Sequence, residues 1–224
     1  MKLLDRLLDL LYPPKCIICH RLLDDGEKTI CPDCFDALPN YDGPAPTVRF
    51  AETCVVTFWY EKSLRDSFLR YKFSGLKQYA DVYGKWMSVT VGDRLAGEYD
   101  LVSWVPVSKK RKRTRGYDQA ELLCRSLCRE LGVEPVSTLA KTVDNPAQSA
   151  SHDASQRAAN VLGVYAPLPD ADIAGKRILL IDDIVTTGAT LGEACRILRT
   201  AGAEKIVCAA FATPRENQEK DEAL

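Results

Sequence analysis

The residues of this 224-residue chain best suited to chemistry are two adjacent carboxylates followed by a threonine-rich turn. The run from Ile178 to Thr190 reads ILLIDDIVTTGAT. Its four leading apolar residues have the continuous character of a parallel strand covered on both faces. Asp182 and Asp183 then fall at the carboxyl end of that strand, where open α/β sheets gather ligands. Ionised carboxylates only accept hydrogen bonds, and the vicinal hydroxyls of a ribose are a matched pair of donors. Thr186, Thr187, Gly188, Ala189 and Thr190 lead into a helical pattern with apolar positions at 191, 194, 197 and 198. Backbone N–H groups at such a helix start, with the helix dipole and the threonine hydroxyls, make a phosphate site. Gly188 lets the backbone turn closely around it. The run has neither the Gly-Lys-Ser/Thr ending of a triphosphate loop nor the three-glycine dinucleotide fingerprint. A plain capped turn would account for the Asp-Asp pair, but not for the whole pattern.

The same thirteen residues resemble the 5-phosphoribosyl-1-pyrophosphate (PRPP) signature of type I phosphoribosyltransferases, matching by residue class throughout. A second constellation, VPVSKKRKRTRGYDQ, spans Val105 to Gln119, and six of the seven positions from Lys109 to Arg115 are cationic. It reads as a loop over 106–116 that follows a strand and opens on the same sheet edge as the carboxylates. Lys109, Arg111, Arg113 and Arg115 are therefore candidates to neutralise a pyrophosphate. Nucleic-acid phosphates and a simply solvated loop are the competing readings.

Four of the nine cysteines stand as Cys16-x2-Cys19 and Cys31-x2-Cys34, with eleven residues between the pairs. That spacing suits a closed, structural four-cysteine zinc site whose metal supplies folding energy that so small a unit lacks. Disulfides are the alternative, disfavoured because no secretory signal is read and a reducing, cytoplasmic compartment is expected. Cys54, Cys124, Cys128, Cys195 and Cys208 lie in apolar or helical contexts and read as buried small hydrophobes. His20 reads as lying on the knuckle surface rather than as a fifth ligand, and His152 is a weak acid/base candidate.

The elements that must position these groups follow from periodicity. Leucines at 3, 4, 7, 8 and 11 have helical spacing and end at Pro13-Pro14, which reads as a short amphipathic helix. The proline- and glycine-rich stretch from Leu38 to Thr47 reads as a linker. Beyond it the pattern predicts strand 53–60, helices near 63–73 and 77–95, strand 100–105, helix 117–131, an irregular stretch, strand 177–182, helix 190–201 and strand 205–211. Strands alternating with helices imply a doubly wound parallel α/β sheet over 48–214, with a small zinc-binding module over 1–40. A net charge of −1 predicts no global attraction to nucleic acid, and no apolar run is long enough for membrane insertion. Any DNA affinity would be local, from Lys109 to Arg115, with help from Arg49, Arg65, Arg70, Trp59, Tyr60 and Tyr71 if they share a face.

Taken in order, the cysteine pairs, Arg113-x-Arg115-Gly116-Tyr117-x-Gln119, Gln148, Arg157-x-x-Asn160-Val161 and the terminal signature resemble the ComF family, competence-associated proteins with a phosphoribosyltransferase domain. The resemblance implies a type I phosphoribosyltransferase fold, binding of PRPP with Mg2+, and a cytoplasmic role in DNA uptake or utilisation. Single-stranded DNA and other DNA-uptake proteins are the implied partners, without a guaranteed transfer reaction. In a transferase, Asp182 and Asp183 would stabilise positive charge growing on the ribose as pyrophosphate leaves. One departure stands out, because the family usually has Asn where this chain has Asp118. A carboxylate there would weaken phosphate binding or pair with Arg115, so Asp118 is left outside the candidate site.

Overall fold

The computed structural model describes residues 13–144 and 162–215. The expected N-terminal helix, Gln148, His152, Arg157, Asn160 and Val161 lie outside the described residues. The central sheet is parallel, in the order β1 (Thr53–Trp59), β6 (Lys205–Thr213), β5 (Arg177–Ile184), β2 (Leu101–Trp104). Side chains alternate across it as strand geometry requires. Leu179, Ile181, Val207, Ala209 and Phe211 point to one face, and Ile178, Leu180, Ile206, Cys208 and Ala210 to the other. The first face is covered by α2 (Lys62–Phe73), α3 (Tyr79–Leu95) and α5 (Gln119–Leu131), the second by α6 (Ala189–Thr200). Helices on both faces make the sheet doubly wound, as its apolar strands predict. Helices α3 and α5 approach so closely that a Cβ on Gly84 would collide with the side chain of Ser126.

Three expectations need correction. The basic run is not a loop: Lys109–Arg115 forms a helix, α4. Ser108 caps it by accepting from the Arg111 N–H, and Gly116 ends it in the left-handed conformation at φ 80°. The stretch expected to be irregular contains an antiparallel pair, β3 (Leu139–Lys141) with β4 (Tyr165–Pro167). The signature strand also runs two residues past its expected end at 182, so Asp183 lies within β5 together with Asp182.

The linker is not a free tether either. The Tyr41 N–H donates to Thr57 O at 3.0 Å and the Trp59 N–H to Pro39 O at 2.7 Å, so this segment caps the outer edge of β1. The cysteine module, with its short helix α1 (Pro32–Asp36), packs onto the helical face through Cys16, Ile17, Ile18 and Cys31. Cys54, Cys124, Cys128, Cys195 and Cys208 are all buried, as their contexts predict.

Candidate functional site

The four thiols of Cys16, Cys19, Cys31 and Cys34 lie within 4.8 Å of one another, and Cys19 Sγ and Cys31 Sγ are 3.9 Å apart. Sulfurs bound tetrahedrally at about 2.3 Å from zinc sit about 3.8 Å apart, so this donor set suits the metal. Burial pushes the Cys16 thiol up, but the N–H groups of Cys31, Cys19 and Ile18 outweigh it and bring the pKa down to about 7. Thiolate is the form that zinc requires. His20 takes no part: its Nε2 lies 3.1 Å from Tyr79 OH, on the module's surface. Burial, then the charges of Arg70 and Lys15, lower its pKa.

The ligand edge is built around β5. Because side chains alternate, Asp182 and Asp183 project to opposite faces of the sheet. Asp182 is buried on the α6 side and lines a pocket with Val185, Thr186, Thr187, Gly188, Ala189 and Thr190. Gly188 caps α6 with φ 70°, and a Cβ there would come within 2.9 Å of Thr47 O, so both conformation and space demand glycine. Thr186 and Thr187 are exposed at the mouth. Burial, then the neighbouring charge of Asp183, raises the Asp182 pKa well above the usual carboxylate range. Such an acid pair is short of positive charge, which is what a hard cation bound through oxygen supplies. Asp183 faces the helical layer, where Lys72 Nζ lies 2.8 Å from its Oδ2.

Helix α4 divides the predicted cations. Residues four apart share a helix face, which sets Arg111 and Arg115 on one side and Lys109 and Arg113 on the other. Arg115 donates to Gln119 Oε1 at 2.9 Å and lies 5.0 Å from the centre of the Phe73 ring. Burial lowers its pKa, and the nearby charge of Asp183 opposes that. Lys109 and Arg113 are exposed on the outer side. Lys110 pairs with Asp144 at 3.6 Å and Lys112 with Glu121 at 2.6 Å.

Sequence reasoning missed Lys72 and Lys141. Lys141, at the foot of the β3–β4 pair, lies 5.4 Å from the Tyr165 ring centre. Its pKa is lowered by burial and by the charge of Arg111, against the pull of Asp182. Neither lysine belongs to a local motif, so no spacing signal marks them. Asp118 plays a different part from either expected one. Its carboxylate accepts from the Val107 N–H at 2.8 Å and the Glu121 N–H at 3.2 Å, capping α5 and tying it to the end of β2. Several residues that could assist DNA binding if they shared a face are engaged within the fold. Tyr71 is fully buried, Arg70 is engaged with the cysteine module, and Arg215 lies 4.5 Å from the Trp59 ring centre.

Comparison with known proteins bears on the whole arrangement. Residues 117–224 match the family model "Phosphoribosyl transferase domain", and residues 7–47 match "Double zinc ribbon domain". The chain is similar to competence protein ComFC of Streptococcus pneumoniae, with 32% identity over 149 residues, 66% of this chain and 63% of that protein. It is similar to competence protein F of Haemophilus influenzae, with 32% identity over 103 residues, 46% of this chain and 45% of that protein. Similarity to the DNA utilization protein YhgH of Escherichia coli K12 is 27% over 202 residues, 85% of this chain and 86% of that protein. The chain thus spans 63% and 45% of the length of the first two relatives. Among the described residues no helix is long and apolar enough to cross a membrane. With a parallel doubly wound sheet of the type I phosphoribosyltransferase kind joined to a four-cysteine structural zinc module, the chain belongs to the ComF family.

Proposed function

We propose that this protein binds PRPP together with Mg2+ at the C-terminal edge of its sheet and serves DNA uptake or utilisation in the cytoplasm. The observation that carries the reading is the pocket joining Asp182 to the Thr186–Thr190 turn at the N-terminus of α6. The turn takes the 5-phosphate on backbone N–H groups and threonine hydroxyls. Asp183 accepts from the ribose hydroxyls, and Asp182, whose ionisation burial disfavours, becomes an ionised partner once positive charge arrives. Mg2+, held by the carboxylate oxygens of Asp182 and Asp183, would supply positive charge beside the ribose and pyrophosphate. Arg111, Arg115 and Lys141 stand on the pyrophosphate side, with Lys109 and Arg113 as more distant cations. In a transfer reaction the two carboxylates stabilise positive charge on the ribose as pyrophosphate departs, and the acceptor is unidentified. Calorimetry with Mg-PRPP tests the binding, and pyrophosphate release with a panel of acceptors tests the transfer. No heat of binding in the wild type would overturn the assignment.

A second reading is favoured by the solvent-facing side of α4. Lys109, Lys110 and Arg113 present cations away from the pocket, suited to the phosphates of single-stranded DNA and leaving PRPP as a regulator. DNA binding without pyrophosphate release would select this reading. Other DNA-uptake proteins are the expected partners in either case.

A further inference from the structure

Four consecutive residues end helix α2, and each reaches a different part of the molecule. Arg70 Nη2 donates to the carbonyl oxygens of Ile17 at 2.9 Å and Ile18 at 2.6 Å, both inside the first cysteine pair. Tyr71 OH donates to Gln119 O at 2.9 Å, and the Tyr71 carbonyl accepts from Tyr117 OH in return. Lys72 Nζ binds Asp183 at 2.8 Å. Phe73 lies against Arg115. One turn earlier, Ser67 Oγ also donates to the Ile17 carbonyl.

A lysine held in one geometry gives up much rotamer freedom, so its ion pair depends on a fixed backbone beneath it. The last turn of a helix frays unless something outside it holds on. Here the holders are Tyr71 on one side and Arg70 on the other. The two carbonyls that Arg70 grips belong to the cysteine knuckle and keep their positions only while that knuckle is folded around its thiolates. A continuous path therefore runs from the cysteine ligands through two carbonyls, Arg70 and Lys72 to a carboxylate of the ligand site.

We propose that Arg70 is a positioning residue that makes the ligand site dependent on the cysteine module, by holding the end of α2 where Lys72 engages Asp183. The consequence for affinity rests on the PRPP reading above. A purely docking role for Arg70 would alter stability and zinc retention but leave the ligand edge alone.

The test uses the full, zinc-loaded chain as wild type, Arg70→Met, Lys72→Met and the double variant. Mg-PRPP affinity is measured by calorimetry, and hydrogen exchange is followed over 182–190 without ligand. Arg70→Met is expected to keep its zinc, to weaken Mg-PRPP binding about tenfold, the size of one charge-assisted hydrogen bond, and to speed exchange over 182–190. Lys72→Met should lose a similar factor. The double variant should be no worse than Lys72→Met alone, because both act through one contact. Arg70→Lys, with donors for the same carbonyls, should recover part of the loss. Losses that multiply in the double variant, or unchanged affinity and exchange in Arg70→Met, overturn the proposal. Should Arg70→Met shed zinc, Arg70→Gln, which keeps one donor, carries the same comparison. If the wild type binds no Mg-PRPP, the ligand reading falls alone, and exchange over 182–190 still decides whether Arg70 acts on this edge.

Discussion

The cysteine module and the carboxylate edge are both clusters of ionisable groups, yet they stand in opposite relations to the fold. In the module, all four thiols come from residues 16–34 and converge within 4.8 Å, a closed set that one metal ion satisfies. At the carboxylate edge, groups from β5, the α6 turn, α4, α2 and β3 converge from distant parts of the chain. Two acids sit there side by side, and burial opposes the charge on Asp182. A closed site of this kind contributes stability when filled, whereas the open edge is held together by the rest of the protein.

Breaking the module should have the largest effect. Cys16→Ser or Cys31→Ser is expected to abolish zinc binding, worth on the order of 10 kcal/mol in small zinc modules, and to unfold the segment ahead of residue 40. Metal analysis and limited proteolysis read this, and a wild-type protein free of zinc, iron or any thiophilic metal would contradict it. Breaking the edge should do something different. Asp182→Asn with Asp183→Asn should lower Mg-PRPP affinity by about 3 kcal/mol or more while the fold survives. Asp182→Asn alone should raise the thermal midpoint, since it removes a carboxylate whose charge is disfavoured by burial and then by Asp183. A lower midpoint would mean that the carboxylate is structural.

The contrast can be sharpened by pH. Burial raises the Asp118 pKa to about 6, against the pull of the Val107 and Glu121 N–H groups. An unfolded aspartate titrates near 4, so between about 4 and 6 the folded chain keeps a proton that the unfolded chain has released. Stability from this group is present below about 4, falls as pH rises to about 6 and stays low above, by roughly 2–3 kcal/mol. Thermal melts across that range should show this component in the wild type and lose it in Asp118→Asn, the residue usual in the family. The smallest effect is expected on the outer face of α4. Replacing Lys109, Lys110 and Arg113 by Ala should weaken single-stranded DNA binding and flatten its salt dependence by roughly 0.7 per lost phosphate contact. A salt slope that the substitutions leave untouched would move DNA elsewhere on the protein.

Legibility in the sequence follows the range over which each feature is encoded. The cysteine pairs and the Ile178–Thr190 run are local, so their spacing alone indicates their chemistry. The central strands and long helices are legible for the same reason. The basic helix is obscured because its charge outweighs the quieter signals of Ser108 and Gly116, the cap and stop that flank it. β3 and β4 are three residues each and far apart in sequence, too short to show alternation. Lys72 and Lys141 reach the site only through tertiary packing, and a lone lysine carries no pattern. Asp118 reads as a charge beside a phosphate, but its backbone partners make it a tie between β2 and α5.

The strip of chain from Pro39 to Tyr41 that pairs with β1 governs where this protein can be cut. An outermost strand with open N–H and C=O groups is a template for pairing with a second molecule. A chain trimmed to begin at residue 48 would bare that row on β1 and also remove Thr47, whose carbonyl closes over Gly188. Such a fragment is expected to self-associate and to hold its phosphate turn loosely, so the two modules are better handled as one unit than as separable parts.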